Sequence, residues 1–252
     1  MSSNHTNITP FGPGPAGEPL LETLQSGLAT AGTGAQTEIL GLRQYLGLTR
    51  YRGDRIHQSV EDWSLRIWVR SWIGGGMGWA STTDLSPTGV ATTVADAEAN
   101  SRLVAAGEPP VLPGSVDAGG VDTYFESTAD TGSAARAEIA AGHIDRAGDV
   151  AVNANLRIAV QEQALVNTQG LSVSLPLTYA ALNVVARASD GATWYGTAIG
   201  RDIDALDLDG TVDGAVAGAR AAARPLSIPP GDYPVVLDPP AISMLLVTSD
   251  PD

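Results

Sequence analysis

Residues 64–105 constrain the fold of this sequence more than any other stretch, because a strand, a glycine turn, a second strand and a helix follow one another with no room for anything else. Leu65, Ile67 and Val69 alternate with Arg66, Trp68 and Arg70, the period-two signature of a strand with two unlike faces. Gly74, Gly75 and Gly76 supply the positive φ that a tight reversal needs. Ser86 then offers a hydroxyl as N-cap, and Pro87 suits the first helical position, where its missing N–H is no loss. The helix that follows sets Val90, Val94, Ala97, Ser101 and Val104 on one stripe, spaced to lie against a sheet.

A second copy of this order follows half a chain later. Residues 182–187 alternate, Ser189-Asp190-Gly191 turns the chain, 194–199 returns, and 207–223 reads as the closing helix. Gly53, Arg70 and Gly74 recur as Gly170, Arg187 and Gly191, each 117 positions on. The matching order of elements, more than these identities, marks an internal duplication.

The remaining segments fill out two related units. Residues 1–17, rich in Pro, Gly and Asn, are expected to be a disordered tail. The first unit, 18–106, opens with an amphipathic helix carrying Leu20, Leu21, Leu24 and Leu28, then a strand pair over 37–51 and 54–63 that turns at Arg52-Gly53-Asp54. A linker over 107–127 is interrupted throughout by Pro and Gly. The second unit, 128–227, opens with a helix over 128–147 whose Ala135, Ile139, Ala140 and Ile144 point inward, followed by a strand pair that reverses near 167–170. Over 228–252 the expectation is a strand at 233–238 and the start of a further domain. Its apolar stretch 241–247 must be covered, since each large side chain left in water forfeits roughly 1.5–3 kcal/mol.

Charge narrows the functional classes. A formal net charge of −14, with every cationic side chain an arginine and no basic run, excludes a phosphate-tracking nucleic-acid binder. The lack of cysteine excludes disulfides and thiolate metal sites. No stretch approaches the roughly 20 apolar residues of a membrane span, and no signal peptide opens the chain, so a cytoplasmic protein is expected.

Few residue patterns in the sequence carry catalytic chemistry. A catalytic zinc takes about three protein ligands, yet His5, His57 and His143 stand apart and none lies in a His-Glu-x-x-x-His frame. His143 reads as a cation favoured by a helix C-terminus. Asp207, Asp209 and Asp213 can be read as a calcium cluster, but the full loop and its terminal Glu are missing and the same positions suit helix capping. No Gly-x-Ser-x-Gly elbow, Cys or Lys offers a nucleophile. Trp63, Trp68, Trp72 and Trp79 suit either an aromatic peptide-binding surface or half-buried strand packing, the second being favoured.

Three fragments carry a family resemblance: Thr83-Asp84-Leu85-Ser86-Pro87, Val166-Asn167-Thr168-Gln169-Gly170, and Pro230-Gly231-Asp232-Tyr233-Pro234-Val235-Val236-Leu237. In this order and spacing the sequence resembles the N-terminal portion of the TldD/PmbA family, also called modulators of DNA gyrase, from about residue 34 to 246. The resemblance implies an α/β (α+β) fold of two related antiparallel sheet-plus-helix units, ahead of a β-rich C-terminal domain that this sequence lacks. It also implies a peptide-processing metalloprotease system in which paired subunits enclose a chamber and one type carries the zinc. This chain, with no zinc motif, is then expected to be an accessory, metal-free subunit or split half. No catalytic residue and no cofactor are assigned to it, and zinc is expected in the partner. The alternative is a stand-alone binding or scaffold module. The expected partners are a TldD/PmbA-type chain or a second copy, with a peptide substrate and neither nucleic acid nor membrane. Val235, Leu237, Met244, Leu245 and Leu246 are the expected partner-binding residues.

Overall fold

Two runs of the same elements build one sheet. The computed structural model describes residues 20–116, 120–223 and 225–248, so the expected tail at 1–17 lies outside the described residues. Helix α1 (Leu20–Leu28) leads into strands β1 (Gln36–Arg52), β2 (Arg55–Ile73) and β3 (Gly76–Thr82), and α2 (Pro87–Ser101) closes the first run. After the single turn α3 (Glu126–Ala129), the order returns as α4 (Ser133–Ala147), β4 (Ala151–Asn167), β5 (Ser172–Arg187), β6 (Thr193–Gly200) and α5 (Leu208–Ala221). Helix α6 (Pro239–Thr248) is the last described element. The strands are all antiparallel in the order β3-β2-β1-β4-β5-β6, so the two halves share one six-stranded sheet and meet at β1 and β4.

The repeated glycines occupy equivalent turns. Gly53 closes β1 onto β2 and Gly170 closes β4 onto β5, at φ of 61° and 89°; Gly74 and Gly191 do the same for the next hairpins, at 59° and 93°. These are left-handed conformations that a side chain resists, which is why glycine survives at both copies. Helix α2 begins as its sequence dictates: the Ser86 hydroxyl accepts from the Gly89 N–H at 3.0 Å and Pro87 follows the cap. Asp207 caps α5 in the same way, accepting from the Gly210 N–H at 2.8 Å.

Three local readings change. The strands expected to be separate around 63–65 are one strand, because Asp62, Trp63 and Ser64 stay in the ladder opposite Leu46, Tyr45 and Gln44. The helix expected over 128–147 is broken at 130–132, where the Thr131 carbonyl turns aside to accept from the Arg136 guanidinium. Residues 233–238 form no strand: Pro234 removes a ladder donor, and the Tyr233 hydroxyl donates back to the Pro229 carbonyl at 2.7 Å. Within residues 107–116, Leu112 is buried, Gly114 is bridged to Gly170, and the Asn167 amide donates to the Pro113 carbonyl.

Helices α1, α2, α4 and α5 all pack on one face of the sheet. In the first half Leu20 and Leu24 meet Ile39, while Val90, Val94 and Ala97 meet Ile67 and Val69. In the second, Val212, Ala215, Val216 and Ala219 meet Leu182, Val184 and Ala186. Gly218 of α5 lies so close to the Trp194 ring that a β-carbon there would overlap it. Strand register turns the odd-numbered residues of β1 and the even-numbered residues of β4 toward this helix layer.

Candidate functional site

The opposite face of the sheet carries a composition unlike the rest of the molecule. The even residues Leu40, Leu42, Leu46 and Leu48 of β1 run down its centre, flanked by Leu165 of β4 and Val173 and Leu175 of β5. Trp68 and Trp79 stand at one side, Trp79 being 58 % exposed, and Tyr195 and Ile199 at the other, with Ile199 60 % exposed. A row of aliphatic and aromatic groups on a sheet face, outside the helix layer, is the pattern of a surface built to be covered. Trp63, by contrast, points to the helix side, where its ring lies 4.7 Å from that of Tyr45. The four tryptophans are therefore split between two faces, and Trp72 is 91 % buried, so the less favoured reading of one shared aromatic surface does not hold.

Charge is sorted onto the same face. β1 presents Arg50 and Arg52, β2 presents Arg55, Arg66 and Arg70, and the second half adds Arg157 and Arg187, all of them exposed. A register shift between Arg50 and Tyr51 keeps Arg55 beside Arg52 while Tyr51 and Ile56 stay with the core. Only Glu38 and Asp62 supply carboxylates among the strand residues of this face, and Glu38 is paired with Arg70. The Arg66 guanidinium lies 5.9 Å from the centre of the Trp68 ring and that of Arg70 5.5 Å from Trp72, holding the planar cations against aromatic surface.

Where the bulge bends the sheet, this face sinks into a depression of about 310 Å³, lined by Arg50, His57, Asn153, Asn155, Asn183 and Tyr195 among others. The Tyr195 hydroxyl donates to Asn183 Oδ1 at 2.6 Å, and the Thr197 hydroxyl donates to the same atom at 3.0 Å. Arg50 donates to the Gln58 side chain at 3.1 Å. Amides, a phenol, an imidazole and a guanidinium thus surround one hollow, a set able to donate to and accept from a polar or carboxylate-bearing group.

Beneath the other face lie two buried polar groups that the sequence did not expose. Arg136 of α4 is fully buried and donates to the Thr131 carbonyl at 3.0 Å and to the Thr49 hydroxyl, the Tyr45 hydroxyl and Glu61, each at 3.2 Å. Gly47 makes room for it, since a β-carbon there would fall on the guanidinium. The bond from Tyr45 and the nearby Arg136 hold the Glu61 carboxyl below its ordinary range. His143 corrects its sequence reading: it is not a cation held by the helix C-terminus but a buried ring whose pKa is pushed down by burial, with Asp209 and Asp213 opposing and Arg146 reinforcing the shift. Its Nδ1 lies 2.6 Å from the Tyr51 hydroxyl and its Nε2 3.5 Å from Asp209. The Asp209 carboxylate opposite Nε2 favours the ring N–H there, which leaves Nδ1 to accept from the Tyr51 hydroxyl. Along α4 the buried stripe is Arg136, Ala140, His143 and Ala147, with Ala135, Ile139 and Ile144 half-buried beside it. No signal within α4 could have shown this, because the strand partners Tyr45, Thr49, Tyr51 and Glu61 lie 75 or more residues away.

The remaining predicted residues find local uses. Asp207 is the α5 cap, and Asp209 and Asp213 both contact Arg146, at 2.5 and 3.1 Å. A second hollow, about 420 Å³ between α4 and residues 203–209, has Asp207 and Asp209 at its rim. Among the described residues no group of three acidic, histidine or cysteine side chains converges as a metal site would. His57 lies at the depression on the uncovered face, and His5 lies outside the described residues. Val235 and Leu237 sit in the extended segment before α6 and Met244, Leu245 and Leu246 on α6, all exposed. Among the described residues no helix is long and apolar enough to cross a membrane.

Comparison with known proteins supports the resemblance at the level of the fold. No family model matches this sequence, and no curated protein matches it. Among solved structures, a protein described as a modulator of DNA gyrase from Thermotoga maritima is 18 % identical with a TM-score of 0.73, over 83 % of this chain and 50 % of that one. TldE from Thermococcus kodakarensis is 17 % identical with a TM-score of 0.69, over 80 % of this chain and 47 % of that one. A protein described as a modulator of DNA gyrase from Bacteroides thetaiotaomicron is 15 % identical with a TM-score of 0.67, over 80 % and 48 %. All three are TldD/PmbA-type proteins, and this chain spans about half the length of each.

Proposed function

We propose that this chain is the binding, metal-free half of a TldD/PmbA-type peptide-processing assembly, working beside a chain that carries the zinc. The observation that carries the reading is the uncovered sheet face, where Leu40, Leu42, Leu46 and Leu48 form an apolar band in a fold shared with half of TldE-type structures. Covering such a band with a second polypeptide would recover about 25 cal/mol for every Å² of apolar surface withdrawn from water. The residues of this chain supply recognition: a flat apolar platform, stacked arginines, and an amide-lined hollow suited to a peptide backbone or side chain. In this reading the partner supplies the zinc, which activates water for hydrolysis.

The test is reconstitution. Purified alone, the chain takes up no stoichiometric zinc and leaves a mixed peptide substrate intact. Mixed with a zinc-bearing chain of the same fold, it forms a complex whose hydrolysis stops on chelation. Chelator-sensitive hydrolysis by this chain alone would overturn the reading.

A further inference from the structure

The sorting of charge between the two sides of the sheet points to the kind of partner this face takes. The chain as a whole carries a net charge of −14, yet seven of its fourteen arginines lie on the face away from the helices, against Glu38 and Asp62 among its strand residues and Asp54 in the turn between Arg52 and Arg55. The acidic groups are concentrated elsewhere, on the helix side and its connections, as at Asp96, Glu138, Asp145, Asp204 and Asp213. A basic face on a strongly acidic molecule is a directional feature, since it attracts only what can approach from that side.

We infer that the uncovered sheet face is a docking surface for an acidic polypeptide, one that alternates carboxylates with aliphatic side chains. Charge complementarity selects the carboxylates: Arg66 and Arg157 flank the leucine band, and Arg50, Arg52, Arg55 and Arg187 gather at the end where β1 turns into β2. The leucine band selects the aliphatic groups. A second copy of this chain applied face to face would set arginine against arginine, which disfavours an isologous pairing here. A nucleic acid would satisfy the arginines but offer no aliphatic cover for Leu40, Leu42, Leu46 and Leu48, and the rest of the molecule would repel its phosphates. The docking element is therefore an amphipathic acidic strand or helix, its carboxylates reaching the guanidiniums while its apolar side lies along β1.

This deepens the function proposed above and rests on it only in expecting a polypeptide occupant; the test needs neither metal nor hydrolysis, so the two fail separately. The full chain is titrated with a decapeptide of alternating Glu and Leu, with its Lys-Leu and Glu-Ser counterparts, and with a twenty-nucleotide oligothymidine, following tryptophan fluorescence at two salt concentrations. The Glu-Leu peptide is expected to bind at least about tenfold tighter than either other peptide and more weakly at high salt. The double variant Arg66→Glu, Arg157→Glu is expected to lose that preference and to favour the Lys-Leu peptide. Arg220→Glu, on α5 of the helix side, is expected to change nothing. Far-UV circular dichroism and the urea midpoint verify that each variant is folded. Equal binding of the Glu-Leu and Lys-Leu peptides, tighter binding of oligothymidine, binding unaffected by the double variant, or self-association that survives excess peptide would each overturn the inference.

Discussion

Gln44 and Gln161 face each other across the ladder between β1 and β4, joined by a side-chain hydrogen bond of 2.6 Å from the Gln161 amide to Gln44 Oε1, and they stand 117 positions apart. That interval also separates Gly53 from Gly170 and Gly74 from Gly191, so each glutamine pairs with its own repeat equivalent. The pseudo-twofold axis of the duplication therefore passes between these two side chains. One residue to either side, Arg43 faces Glu162 at 3.2 Å on the helix side of the same ladder.

A bond on the axis should behave as one unit. Gln44→Ala and Gln161→Ala are each expected to cost about 1 kcal/mol, and the double variant little more than either single one. Urea unfolding of the four proteins in the cycle measures this.

The buried Arg136 should be far less replaceable than its partners. Arg136→Ala leaves the Tyr45 and Thr49 hydroxyls and the Thr131 carbonyl without their donor in a space closed to water, and is expected to cost about 3–5 kcal/mol. Glu61→Gln, on a side chain 44 % exposed, is expected to cost far less. The two urea midpoints give the comparison.

Gly47→Ala tests the same site from below. The added methyl meets the Arg136 guanidinium, so a loss of about 1–3 kcal/mol is expected, even though this position sits in ordinary strand backbone. Ala at Gly34, where a β-carbon meets nothing but φ is +82°, is expected to cost nearer 1 kcal/mol through backbone strain alone.

How much of this was legible depends on whether the partners are near in sequence. The turns at Gly53, Gly74 and Gly191 and the caps at Ser86 and Asp207 were readable, because a glycine or a hydroxyl and the bond it serves lie within a few residues. The two faces of β1 were not, because both are apolar: Ile39 and Tyr51 point to the helices while Leu40 and Leu48 point away. Sorting the arginines onto one side required the register and the bulge after Arg50. The burial of Arg136 and His143 was hidden for the same reason, its cause lying in contacts with distant strands.

Acid should destabilise the fold through His143. Its folded pKa lies below the ordinary histidine value of about 6.5, so as pH falls through that value the unfolded chain takes up a proton that the folded chain refuses. The stability this provides is complete above neutrality and is lost on acidification from about 6.5 down to the depressed folded value. Chemical unfolding measured from pH 8 to 5 is expected to show that decline, and His143→Gln is expected to flatten it in the upper part of the range.

The central claim is that the leucine-and-arginine face of the sheet is where a partner chain sits. Sedimentation velocity of this chain mixed with a zinc-bearing TldD/PmbA-type chain, using the wild type and Leu46→Asp, addresses it most directly. The account predicts a complex with the wild type, and only free subunits with the variant, whose cooperative urea transition verifies that it is folded. A complex that forms equally well with Leu46→Asp would contradict it.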